Sequence, residues 1–143
     1  MSMRRSRLRW PQVLSLGTGL FLLLWGLAGF LVTGVADFAG QAETHLLGLR
    51  VNPLSNVVHV VTGLGFIAVA PRVRTLAGVG LLLAGLYLVM FGIGSADDAS
   101  TNLLNVNTGT NVLHLFVGFA GMAIVQGAAW MRQCDKVAAS RQS

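Results

Sequence analysis

The sequence predicts an all-α integral membrane protein, a four-transmembrane-helix up-down bundle built from two parallel helix-loop-helix repeats. The first reason is composition, since 54% of the 143 residues are hydrophobic, 10% are charged and the mean hydropathy is +0.69. A soluble domain of this size carries more charge than that. The second reason is a set of four uncharged apolar runs, and the third is a polar motif that occurs twice.

The four apolar runs cover residues 13–35, 54–70, 76–94 and 112–130. Three of them are at least 19 residues long, which is enough to cross a bilayer as a helix. The second run would span about 25 Å and is long enough if it is capped at the interface. A cleavable secretory signal has only about 7 to 15 apolar residues. Because the first run has 23, we expect it to remain as a helix.

The charges predict the orientation of these helices. Nine of the ten basic residues fall before the first run, between the second and third, or after the fourth: Arg4, Arg5, Arg7, Arg9, Arg72, Arg74, Arg132, Lys136 and Arg141. The opposite side carries only Arg50 among the basic residues, together with Asp37, Glu43, Asp97 and Asp98. The positive-inside rule therefore places both termini in the cytoplasm and both long loops outside a cytoplasmic (inner) membrane.

The repeated motif is Asn-x-x-x-Asn-Val-x-His-x-x-x-Gly. Its two copies lie 55 residues apart: Asn52, Asn56, Val57, His59 and Gly63, then Asn107, Asn111, Val112, His114 and Gly118. Both halves begin on the same side, so they form parallel rather than inverted repeats. We expect a single membrane domain, 1–143, with these parts: repeat one at about 11–71, repeat two at about 75–131, and short cytoplasmic tails at 1–10 and 132–143.

Each motif position has a predicted physical role. Asn52 before Pro53 is a helix start, because asparagine caps free amides and proline at the first helical position has no amide to leave unpaired. Asn107 has the same place in the second copy. Asn and His three residues apart share one helix face, and the glycine of each copy lets a neighbouring backbone approach. The site prediction comprises six candidate polar or ligand residues, Asn52, Asn56, His59, Asn107, Asn111 and His114, with Gly63 and Gly118 for helix packing.

Three interpretations of the histidines stay open. In the first, neutral imidazoles hydrogen-bond to Asn56, Asn111 or loop carbonyls and tie the loops to the bundle. In the second, His59 and His114 hold a haem b between them, or a metal with help from nearby groups: His45, Glu43, Asp37 or Asp97. In the third, they line a polar pocket for a small ligand, a lipid headgroup or a quinone.

The paired motif resembles a bacterial four-helix membrane family known only as domain of unknown function 4383. That family has Asn-x-x-His-x-x-x-Gly on its second helix and Asn-x-Ala-Asp-Asn-x-x-His on its fourth. Asn56, His59 and Gly63 match the first element, and Asn107, Asn111 and His114 match the second. This chain has Gly109-Thr110 where the family tends to have Ala-Asp. The resemblance extends from the arginine-rich start to Trp130 and implies a fold and a location, but no activity.

The functional prediction is a small integral membrane protein, a non-enzymatic accessory or scaffold subunit, in contact with the lipid bilayer and with other membrane proteins or further copies of itself. The alternative is a bis-His haem-binding or quinone-interacting redox protein. No catalytic motif, metal-binding spacing or phosphate loop occurs, and no nucleic-acid partner is expected. A transporter is disfavoured because none of the four runs contains a charged residue.

Overall fold

The computed structural model describes residues 8–96 and 102–142, and within them the regular secondary structure is helical apart from one short hairpin. The helices are α1 (Trp10–Thr33), α2 (Pro53–Val69), α3 (Val73–Gly94) and α4 (Thr108–Ser140). Two strands, β1 (His45–Leu46) and β2 (Leu49–Arg50), pair antiparallel in the segment between α1 and α2. The all-helical prediction with four helices is therefore confirmed.

Three of these helices, α1, α3 and α4, are long and apolar enough to cross a membrane. The shorter α2 has 17 apolar-rich residues, and so is about 25 Å long. In contrast, α4 has 33 residues, about 50 Å, which exceeds the roughly 30 Å thickness of a hydrocarbon core. Its final part, 132–140, is exposed on every side. The predicted tail therefore continues α4 as a projecting helix for most of its length.

Asparagine caps fix where α2 and α4 begin. Asn52 accepts a hydrogen bond from the Ser55 backbone N–H at 2.8 Å, while the Ser55 hydroxyl accepts one from the Asn52 N–H at 3.0 Å. Asn107 accepts from the Thr110 N–H at 2.9 Å. Each cap satisfies an amide that the first helical turn leaves unpaired. Both helix starts lie at one end of the molecule, here called the motif end.

Helices α1 and α2 pack against each other in antiparallel orientation. Near the end opposite the motifs, Ser15 donates a hydrogen bond to the Phe66 carbonyl at 2.8 Å. Midway along the pair, Gly19 faces Gly63, and a methyl group on Gly63 would lie 2.7 Å from the Gly19 carbonyl oxygen. Glycine therefore permits backbone-to-backbone contact at this level, the role predicted for Gly63.

Similar antiparallel packing joins α3 with α4. Ala84 lies against Gly121, and Leu88 lies against Gly118. The remaining neighbours are α1 with α4, where Trp10 contacts Gly127, and α2 with α3. The shared core is formed by one set of buried apolar side chains: Leu22, Phe66, Leu76, Tyr87, Met90, Val117, Ile124 and Ala128.

Candidate functional site

The two motif histidines lie side by side in the interior. Both His59 on α2 and His114 on α4 are fully buried, with no exposed surface. Their ring centres are 5.9 Å apart and the ring planes are inclined by 32°. Since α2 and α4 are not among the extensively packed helix pairs, this contact brings together two helices that otherwise meet little.

Tyr87 of α3 completes the cluster and was not singled out in the sequence. Its ring centre lies 6.1 Å from that of His59 and 5.7 Å from that of His114. Its hydroxyl is 2.8 Å from the Thr62 hydroxyl, which in turn donates to the Val58 carbonyl at 2.7 Å. Tyr87 is the single tyrosine of the chain and stands in an otherwise apolar run, which is the signal that could have identified it.

None of the four imidazole nitrogens of His59 and His114 has a hydrogen-bond partner in the described parts of the chain. The Ser55 carbonyl, one turn before His59, interacts with that ring electrostatically but lies outside hydrogen-bond geometry. The expectation that the imidazoles bond to Asn56, Asn111 or loop carbonyls is therefore wrong. Buried polar atoms without partners are uncommon in proteins and require an explanation.

The motif asparagines instead point away from the histidines toward α1 and α3. Asn56 donates to the Thr33 hydroxyl at 3.0 Å, and Asn111 donates to the Ser95 hydroxyl at 2.9 Å. The Asn56 side-chain oxygen packs against Gly29, where a methyl group would overlap it. The Asn111 oxygen packs against the backbone of Gly94 in the same manner. Both residues therefore fasten a helix end to its neighbour.

The cap asparagines connect the two loops reciprocally. Asn52, from the first repeat, donates to the Leu103 carbonyl in the second loop at 2.8 Å. Asn107, from the second repeat, donates to the Gly48 carbonyl in the hairpin at 3.1 Å. The predicted tie between loops and helices thus exists, but the asparagines make it and the histidines do not.

Two residues outside the predicted site, Asn105 and Thr110, add to these loop ties. Asn105 is fully buried and donates to the Ala42 carbonyl at 2.7 Å and to the Val51 carbonyl at 3.2 Å. Thr110 donates to the Arg50 carbonyl at 3.1 Å. Asn105 has a φ of 51°, a backbone conformation that asparagine tolerates better than most residues. That tolerance is the sequence signal for a structural turn at this position.

A cavity of about 820 Å³ opens at the motif end. Polar groups and one cation form much of its wall, which includes His45, Arg50 and Asn107. Met90 and Asn111 also line it. These two residues lie three positions from Tyr87 and His114 in sequence, so about one helical turn separates the cavity from the buried cluster.

The predicted metal site that uses carboxylates does not form in the described residues. They contain no group of three or more His, Cys, Asp or Glu side chains placed to share an ion. His45 lies on the exposed hairpin and its Nδ1 contacts the Glu43 carbonyl at 2.9 Å. The predicted helper Asp97 lies outside the described residues. Among the described His, Cys, Asp and Glu side chains, the cluster therefore offers the two imidazoles as metal-binding donors.

Comparison with known proteins gives one result. Curated proteins and solved structures yield no significant match. Residues 12–126 match the family described as domain of unknown function (DUF4383). This match includes all of α2 and α3 and both copies of the motif, in agreement with the resemblance seen in the sequence. The chain therefore belongs to the DUF4383 family.

Proposed function

We propose that this chain is a multi-pass protein of the cytoplasmic membrane that serves as a non-enzymatic accessory or scaffold subunit. Its four helices form an up-down bundle of two parallel repeats, with α2 as the fourth span. Large apolar side chains on the helix surfaces support a lipid environment: Leu20, Leu24, Leu31, Val61, Leu82, Val89, Phe116 and Phe119 are each at least 50% exposed. Contiguous exposed apolar surface of this kind is rare on soluble proteins.

The proposed orientation places the motif end outside. At the opposite end, Arg9 and Asp135 form an exposed ion pair at 3.0 Å that joins the start of α1 to the projecting part of α4. Its hydrogen bond with Asp135 raises the pKa of Arg9 above its ordinary value. Arg72 and Arg74 lie at the connection between α2 and α3. Clustered basic residues at this end fit the cytoplasmic side.

A labelling experiment tests the orientation. Cys134 is exposed and is the single cysteine of the chain. It should be shielded from a membrane-impermeant thiol reagent in intact cells and should react after lysis. A Glu43→Cys variant on a Cys134→Ser background should react in intact cells, because Glu43 is exposed at the motif end. The opposite pattern would reverse the proposed topology.

The observation that carries the scaffold proposal is the reciprocal connection of the two loops. Asn52, Asn105 and Asn107 all donate to backbone carbonyls in another part of the motif end. These side chains therefore form hydrogen bonds within the protein, and the bonds fix the loops relative to each other in a single surface. A fixed surface suits recognition of a membrane partner, whereas a transport cycle requires the loops to separate.

The haem alternative fits the structure less well. A distance of 5.9 Å between ring centres is compatible with two imidazoles on one iron. However, a porphyrin extends in every direction around the axis that joins its two axial ligands, and the Tyr87 ring occupies one side of that axis. We therefore expect no stoichiometric Soret band in protein purified from haem-replete cells. A strong Soret band that His114→Ala abolishes would favour the redox function.

Assembly size tests the scaffold function directly. The tagged chain, expressed at its native level and extracted in a mild detergent, should migrate in a complex larger than its 15.1 kDa monomer. Asn107→Ala should weaken that complex because it releases the hairpin from α4. Gly17→Ala is the matched control, since a methyl group there meets nothing within 4 Å. A chain that remains monomeric under these conditions contradicts the scaffold proposal.

A further inference from the structure

The unpartnered nitrogens of the histidine pair point to a ligand of atomic size. All four ring nitrogens of His59 and His114 are buried and without hydrogen bonds among the described residues. A buried polar group without a partner carries its full desolvation penalty. Both side chains have no exposed surface and share the Tyr87 ring as a neighbour. A single ion would bind one nitrogen of each imidazole, and the close packing around the pair suits an ion better than an organic ligand.

We propose that His59 and His114 together bind one monovalent copper ion. A metal–imidazole bond is about 2.0 to 2.1 Å long. When two such bonds point in nearly opposite directions, the two ring centres are about 6.3 Å apart if each nitrogen is about 1.1 Å from its ring centre. The observed ring-centre separation of 5.9 Å is within about half an ångström of this value. The pair therefore has the spacing of a wide-angle, two-nitrogen site.

The donor set favours Cu(I) over divalent ions. Zinc at structural sites takes four ligands, often thiolates or carboxylates that also neutralise its charge. The described residues provide no third His, Cys, Asp or Glu at the pair. Tyr87 uses its hydroxyl in the contact with Thr62. A divalent ion would thus remain under-coordinated with two buried positive charges, whereas Cu(I) has one charge and accepts soft and imidazole donors.

The cavity at the motif end is lined in part by side chains of similar donor chemistry. His45 and Met90 both line it, and Met90 is 4% exposed. Imidazole and thioether groups are donors that copper accepts, and hard cations prefer oxygen. Met90 lies three residues from Tyr87 in α3, so an ion that reaches the thioether is about one helical turn from the pair.

Copper titration under anaerobic, reducing conditions tests the site. The Cys134→Ser protein is the reference, because the exposed Cys134 thiol would itself bind Cu(I). In competition with a chromogenic Cu(I) chelator, this protein should bind one copper per chain. His59→Ala and His114→Ala should each weaken binding more than about 100-fold, beyond the 10- to 100-fold typical of an outer-shell partner. Gly17→Ala on the same background is the control and should keep the site, because its added methyl group meets nothing within 4 Å.

X-ray absorption of the copper-loaded Cys134→Ser protein keeps the proposal testable if the alanine variants fail to fold. The spectrum should show two nitrogen neighbours and the edge feature of two-coordinate Cu(I). Three or more neighbours, or sulfur ligation, would overturn the two-histidine site. The absence of copper binding would also overturn the site. Equal binding by the protein that carries both His59→Ala and His114→Ala would overturn it as well. Zinc bound more tightly than Cu(I) at these histidines would overturn the choice of ion.

Discussion

The two halves of the molecule carry the same motif but pack it differently. In the first half, Gly63 meets the backbone of α1, with a potential methyl group 2.6 Å from the Leu23 nitrogen. In the second half, Gly118 meets the Leu88 side chain, whose Cδ2 would be 2.6 Å from that methyl group. The difference arises because α1 provides Gly19 at this depth and α3 does not. A repeated motif thus places residues at equivalent positions on a helix, while the partner helix decides how closely they pack.

The glycine contrast should give the largest stability difference. Gly63→Ala forces a methyl group into backbone atoms that cannot rotate away, so we expect about 1 to 3 kcal/mol of destabilisation. Gly118→Ala meets a side chain that can change rotamer, and its loss should be smaller. Thermal unfolding in detergent measures both, with Gly17→Ala as the control because its methyl group meets nothing within 4 Å. Equal losses at Gly63 and Gly118 would remove the proposed asymmetry.

The helix caps should give the next difference. Asn52 is 3% exposed, caps Ser55 and also donates to Gly40 and Leu103, whereas Asn107 is half-buried. Loss of an asparagine cap costs about 0.5 to 2 kcal/mol. We expect Asn52→Ala near the upper value and Asn107→Ala near the lower. Asn→Asp at each position retains the oxygen that caps the helix and removes the N–H groups that donate to the loops. The Asp and Ala variants together therefore separate the two contributions to stability. A larger loss at Asn107 would contradict this order.

A small effect is also expected where asparagine meets glycine. Asn56→Ala removes one interhelical hydrogen bond, which is worth about 0.6 kcal/mol on average in a membrane bundle. Because a methyl group on Gly29 would overlap the Asn56 side chain, Gly29→Ala should be tolerated much better when combined with Asn56→Ala. A double-mutant cycle measures this coupling. The corresponding Gly94→Ala and Asn111→Ala pair should couple less, since Val106 also lies 3.0 Å from the added methyl group. Purely additive effects at Gly29 and Asn56 would show that they do not interact.

Much of the fold follows from local signals. Uncharged runs identify the helices, and the Asn52-Pro53 pair identifies where α2 starts, because capping depends on neighbouring residues only. The exposed extension of α4 was not predicted as a helix, although Gln133, Lys136 and Ala138 all favour one. Hydrophobicity identifies membrane spans, and it gives no information on where a helix continues beyond them.

The site was harder to predict because it depends on rotation and on partners far away in sequence. Motif spacing placed His59 and His114 on corresponding faces of their helices, and the structure brings the two rings together. The motif spacing did not identify Tyr87, because no local sequence signal shows which face of α3 packs against α2 and α4. The direction of the Asn56 amide was likewise set by Thr33 and Gly29 on another helix.

The reciprocal asparagine ties have a consequence for how the chain matures. Asn52 bonds to Leu103, 51 positions later, and Asn107 bonds to Gly48, 59 positions earlier. Neither bond can form while the second half is still on the ribosome. The hairpin and the second loop should therefore be open to an added protease during biogenesis and should become resistant together when α4 is in place. The time at which the hairpin becomes resistant to cleavage would then report when insertion of α4 is complete.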